Sequence, residues 1–89
     1  MTTLVTVYTT QICGYCHAAK RLLDAEEIAY EAIDVTRDPD KRMWLIETTG
    51  MRTVPQIFFG DEPIGGYDEL NALRRSGQLH QKLAGHTSS

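Results

Sequence analysis

The sequence predicts an α/β fold: a mixed four-stranded sheet flanked by helices on both faces. Three observations carry this expectation. Residues 4–8 and 57–59 are short runs rich in β-branched and aromatic side chains, and they read as strands buried on both faces. Between and after them, helical periodicity alternates with strand patterning. The chain has 89 residues, 42% of them hydrophobic, which suits one modest core and one domain spanning residues 1–89.

Each element has its own signal. From Gly14 to about Glu27, Ala18, Ala19, Leu22, Leu23 and Ala25 form an apolar stripe, with Lys20, Arg21 and Asp24 on the wet side. Residues 30–35 alternate like a second strand. Arg37, Asp38 and Pro39 mark a turn and a helix start, since proline suits a first helical turn. Met43, Trp44, Leu45 and Ile46 are expected to give that helix its buried face, and Thr48, Thr49 and Gly50 to end it. A strand at 56–59 follows Pro55, then a hairpin turn at Gly60, Asp61 and Glu62 and a short strand around Pro63 and Ile64. Gly65 and Gly66 break the chain before a third helix, which starts near Tyr67, carries Leu70 and Leu73, and fades by Ser76 and Gly77. Leu79 and Leu83 suggest a last amphipathic turn, with residues 84–89 a frayed tail. The order β-α-β-α-β-β-α makes the first two strands a parallel pair with a right-handed crossover and the last two an antiparallel hairpin.

Composition narrows the function. A net charge of −3 argues against a nucleic-acid partner held by a basic surface. No run approaches the roughly 18 apolar residues of a membrane span. The start at Met1, Thr2, Thr3 and Leu4 lacks the basic and apolar regions of a secretory signal. Read as a complete chain, the protein is expected to be cytoplasmic. In that reducing setting its two cysteines point to catalysis or metal binding before a structural bridge.

Cys13 and Cys16 stand at the junction of the first strand and first helix. Three residues apart in a first helical turn, they share a side and fall within disulfide reach. The same turn offers unpaired N–H groups and the positive end of the helix dipole, which stabilise a thiolate at Cys13. Cys16, one turn in, suits the resolving role, and Lys20 adds positive potential if it curls toward the site. Two other readings compete. A zinc site lacks a second Cys pair or His pair to complete four ligands. Cys13, Cys16 and His17 also match the haem-attachment pattern, with Met43 or Met51 as a nominal distal ligand, but the βαβ context favours a redox motif.

Taken together, Tyr8-Thr9, Cys13-Gly14-Tyr15-Cys16, Thr53-Val54-Pro55-Gln56-Ile57-Phe58 and Ile64-Gly65-Gly66-Tyr67-Asp68-Glu69-Leu70 resemble a dithiol glutaredoxin. The resemblance runs from about Leu4 to Leu83. It implies a thioredoxin-like fold and a glutathione-dependent oxidoreductase that reduces protein disulfides and glutathione mixed disulfides. Cys13 and Cys16 would be catalytic, and Tyr15, Arg42, Thr53, Val54, Pro55, Gly66, Tyr67 and Asp68 would bind glutathione, the co-substrate. Pro55 would be cis, Val54 would pair with the cysteinyl backbone, and Arg42 would meet the glycyl carboxylate. The start of the third helix would receive the γ-glutamyl carboxylate, with Asp68 on its ammonium. Its partners would be glutathione and disulfide-containing or glutathionylated proteins.

The chain departs from this pattern at Thr10, where many relatives carry Lys, and at Gly14, where Pro is commoner. A flexible Gly14 matches relatives that share a [2Fe-2S] cluster through Cys13 of each copy and two glutathione thiolates. The alternatives to a monomeric reductase are therefore a cluster-bridged homodimer and an electron donor fed directly by a reductase.

Overall fold

Side chains buried on both faces place β1 (Val5–Thr9) and β3 (Gln56–Phe59) side by side in the middle of the sheet. The structure, a computed structural model, describes residues 4–87. Around the two central strands lie α1 (Gly14–Ala25), β2 (Tyr30–Asp34), α2 (Pro39–Thr49), β4 (Glu62–Gly65), α3 (Tyr67–Arg75) and α4 (Leu79–Thr87). The sheet order is β2-β1-β3-β4. β1 pairs with β2 in parallel and with β3 antiparallel, and β3 and β4 form the antiparallel hairpin. The mixed sheet is the one the sequence predicts.

The pleat sends alternate residues to opposite faces. Val5 lies opposite Phe59, and Val7 opposite Ile57. All four are buried on the face that Ala19, Leu22 and Leu23 of α1, Leu70 of α3 and Leu79 of α4 cover. On the other face Tyr8 and Phe58 pack with Val35, just after β2, and with Leu45 of α2. Helices thus cover both faces, and the start of α1 is held against the end of β1.

Two expectations change. Met43, Trp44, Leu45 and Ile46 do not share one buried face: Leu45 is buried, whereas Met43 is 54% and Trp44 40% exposed. Successive helical residues turn by about 100°, so four in a row sweep most of the way round. Trp44 stacks on Phe58 with ring centroids 5.7 Å apart, and Lys41 Nζ sits over its ring, 4.7 Å from the centroid. The last turn is instead a full helix, which continues through residues 85–87 where fraying was expected; residues 88–89 of that tail lie outside the described residues. Leu79 and Leu83 anchor it on the core, Lys82 meets Glu62 at 2.9 Å, and His80 meets Glu26 at 3.1 Å. Among the described residues no helix is long and apolar enough to cross a membrane.

Candidate active site

Cys13 is the N-cap of α1. Its backbone is extended (φ −156°, ψ 102°), and its Sγ accepts the backbone N–H of Cys16 at 3.1 Å. An N-cap oxygen normally takes this bond, so the sulfur sits on the axis where the helix offers its free N–H groups. Cys13 and Cys16 are joined as a disulfide, with Cα atoms 5.2 Å apart. Cys16 is 1% exposed and Cys13 half-buried, so only the first sulfur is open to an approaching molecule.

The loop between α2 and β3 comes up beside this pair. The Val54–Pro55 bond is cis, and the Val54 carbonyl oxygen lies 3.7 Å from Cys13 Sγ, where a thiol at position 13 can donate to it. Across a cleft of about 390 Å³ stands the start of α3. The cleft brings together seven of the ten expected site residues: Tyr15, Thr53, Val54, Pro55, Gly66, Tyr67 and Asp68. The Tyr15 and Tyr67 rings lean over it with centroids 6.0 Å apart. Cys13 joins them through Val54, and Cys16 lies beneath, behind the disulfide.

Two glycines let the walls meet. A Cβ on Gly66 would stand 3.3 Å from the Pro55 carbonyl oxygen, so α3 and the cis-proline loop approach backbone to backbone. Gly65 has φ +123°, and a Cβ there would run into Glu69 at 2.6 Å. Glu69 Oε1 accepts the Gly66 N–H at 2.6 Å, which is the reciprocal half of a capping box whose N-cap glycine has no side chain for the other half.

Arg42 stands apart from the cleft. It lines a neighbouring groove of about 200 Å³ with Arg52, and the two spaces share Met51, Thr53 and Val54 as a common wall. The Asp34 carboxyl is held below its ordinary value first by the Thr36 side chain and N–H, then by the Lys20 and Arg37 charges.

Sequence reasoning missed three residues here. Met51 and Glu69 line the cleft, and Gln56 holds it in shape. The Gln56 side chain is buried, and its Nε2 donates to the Met51 carbonyl at 2.9 Å, while the Met51 N–H donates to Thr49 Oγ1 at 3.0 Å. The spacing from Gly66 to Glu69 was the available signal for the cap. No pattern in the sequence announces a side chain that reaches back five residues.

Comparison with known proteins fits this geometry. The glutaredoxin family model matches residues 5–64. The chain is 40% identical over 80 residues to a glutaredoxin of Pseudomonas aeruginosa, covering 90% of this chain and 95% of that one. It is 40% identical over 79 residues to glutaredoxin 3 of Escherichia coli K12, covering 89% and 95%. Among solved structures it superposes on a buckwheat glutaredoxin–glutathione complex with a TM-score of 0.86 at 32% identity, over 96% of this chain and 80% of that one. Sequence, fold and cysteine pair agree: the chain belongs to the glutaredoxin family, thioredoxin-like in fold and a thiol–disulfide oxidoreductase in chemistry.

Proposed function

We propose that this chain uses glutathione to reduce glutathione mixed disulfides and protein disulfides, with Cys13 as the nucleophile. The observation that carries the reading is the position of Cys13 Sγ, which takes a helix N–H at 3.1 Å and lies 3.7 Å from the Val54 carbonyl at the mouth of the cleft. A buckwheat relative has a solved complex with glutathione, which supports the same ligand here. In this reading the tripeptide lies along the cis-proline loop, its cysteinyl backbone pairing with Val54 in strand fashion. Glu69 already occupies the Gly66 N–H. The N–H groups of Tyr67 and Asp68 remain for the γ-glutamyl carboxylate. Asp68 then faces its ammonium, and Arg42 reaches the glycyl carboxylate from the adjoining groove.

The chemistry is two exchanges. The Cys13 thiolate attacks the glutathione sulfur of a mixed disulfide, the S–S bond breaks, and the departing thiolate takes a proton from solvent. A second glutathione thiolate then attacks the sulfur carried on Cys13, which releases glutathione disulfide and restores the Cys13 thiolate. With a protein disulfide, Cys13 forms the mixed disulfide and buried Cys16 attacks the Cys13 sulfur from within. The client leaves as a dithiol, and the Cys13–Cys16 disulfide awaits two glutathiones. The reading places the protein in a reducing cytoplasm, where glutathione keeps thiols reduced. Turnover assays with Cys13→Ser and Cys16→Ser test it. Cys13→Ser should abolish release of glutathione from a glutathionylated peptide, and Cys16→Ser should keep most of it while losing protein disulfide reduction. Equal loss in both variants overturns this division of labour.

A second reading rests on Gly14. A Cβ there meets nothing within 4 Å, so the helix start beside Cys13 is open to a second copy. Among the described residues no three or more His, Cys, Asp or Glu side chains gather as a metal site. In the arrangement that the resemblance implies, a shared [2Fe-2S] cluster would take Cys13 from each copy and its other ligands from two glutathiones, and when bound it would supply electron storage or cluster delivery. Anaerobic reconstitution with iron, sulfide and glutathione should give a coloured dimer that Gly14→Pro weakens. A colourless monomer overturns this second reading alone.

A further inference from the structure

Ile12 precedes the nucleophile directly and is 96% exposed, more than any other large hydrophobic side chain among the described residues. A single exposed apolar side chain is ordinary on a protein surface. Two observations set this one apart. Its loop is braced: the Gln11 N–H donates to Thr36 Oγ1 at 2.9 Å, and the Thr36 N–H donates to Asp34 Oδ1 at 2.8 Å. Ile12 is thus presented to water by a fixed turn, between a tethered Gln11 and the N-cap Cys13. It also stands outside the cleft, whose lining on this side is Tyr15, itself 66% exposed. Cys13 therefore has an aromatic residue on its cleft side and an aliphatic one just before it in the chain.

We infer that Ile12 is a docking residue for polypeptide substrates, gripping an apolar side chain next to the client's reacting cysteine. The inference rests on the proposed function. When Cys13 attacks a glutathionylated client, the three sulfurs lie in line, with the glutathionyl half in the cleft and the client's sulfur as leaving group at its mouth. A client chain must then run over the rim around Cys13, and the apolar surface it meets beyond Tyr15 is Ile12. Small mixed disulfides end before that rim.

The test compares the unmodified protein with Ile12→Ser and Ile12→Val on three substrates. These are a glutathionylated peptide with Leu beside its Cys, the same peptide with Ser in place of that Leu, and the mixed disulfide of glutathione with 2-mercaptoethanol. Ile12→Ser should raise KM for the Leu peptide by roughly 3- to 10-fold, as expected for partial burial of one aliphatic side chain. It should leave kcat and the small substrate unchanged, and Ile12→Val should stay near the unmodified protein. An unchanged KM for the Leu peptide, or equal losses on all three substrates, overturns the inference. Failure of the unmodified protein to turn over the small substrate overturns the proposed function itself, a separate and distinguishable result.

Discussion

At position 13 a sulfur stands where a helix N-cap ordinarily carries a hydroxyl or carboxylate oxygen. One residue thereby serves as structural cap and as nucleophile, and the N–H that satisfies the first role stabilises the anion needed for the second. The binding residues divide by where the backbone puts them. Asp68 lines the cleft, and Arg42 lines the adjoining groove. Asp68→Ala should therefore raise KM for a glutathionylated substrate by about 2- to 10-fold, the range for an exposed charged contact. Arg42→Ala should raise it by less, about 2-fold, since exposed ion pairs contribute little. Steady-state kinetics on both variants check the order, and a larger effect from Arg42 would reverse the assignment. Cys13, Val54 and Pro55 were legible because each belongs to a short motif with a mechanical role. Gln56 was not, because its contact with Met51 exists only once the loop has turned back on itself.

Elements were readable where one signal decided their place. α1 is amphipathic and begins at the cysteine pair, and α2 starts at Asp38, whose side chain accepts the Lys41 N–H at 3.0 Å. The face of α2 was misjudged because four consecutive apolar residues fix hydrophobicity but not direction. Trp44 reaches its apolar partner by stacking on Phe58 while staying 40% exposed. α4 was underestimated because its hold on the core is Leu79 and Leu83, too few for a periodic signal. At the start of α1 the prediction is electrostatic: the helix terminus should stabilise the reduced Cys13 thiolate, so that its pKa falls below the ~8.5 of a free cysteine. Alkylation of the reduced protein across pH should give a midpoint below that value, with Cys16 much slower because it is buried. A midpoint at or above it means the helix does not activate the thiol.

For the whole molecule, the sheet order accounts for the site. β1 delivers Cys13, its neighbour β3 follows the cis-proline loop, and β4 runs into α3, so adjacent strands end at one cleft. The order of elements along the chain was enough to predict the layers and the parallel and antiparallel pairs. It could not predict that Arg42 would fall in a second groove or that Lys20 would act on Asp34, since both depend on how helices settle on the sheet. The central claim is that Cys13, alone of the two cysteines, takes the glutathionyl group into this cleft. Cys16→Ser, reduced and then mixed with glutathione disulfide, tests it most directly by intact and peptide mass spectrometry. The account predicts one glutathionyl group per chain, on Cys13, removed by excess glutathione, and none on Cys13→Ser under the same conditions. An unmodified Cys13, or an equal adduct on Cys16 in Cys13→Ser, would contradict it.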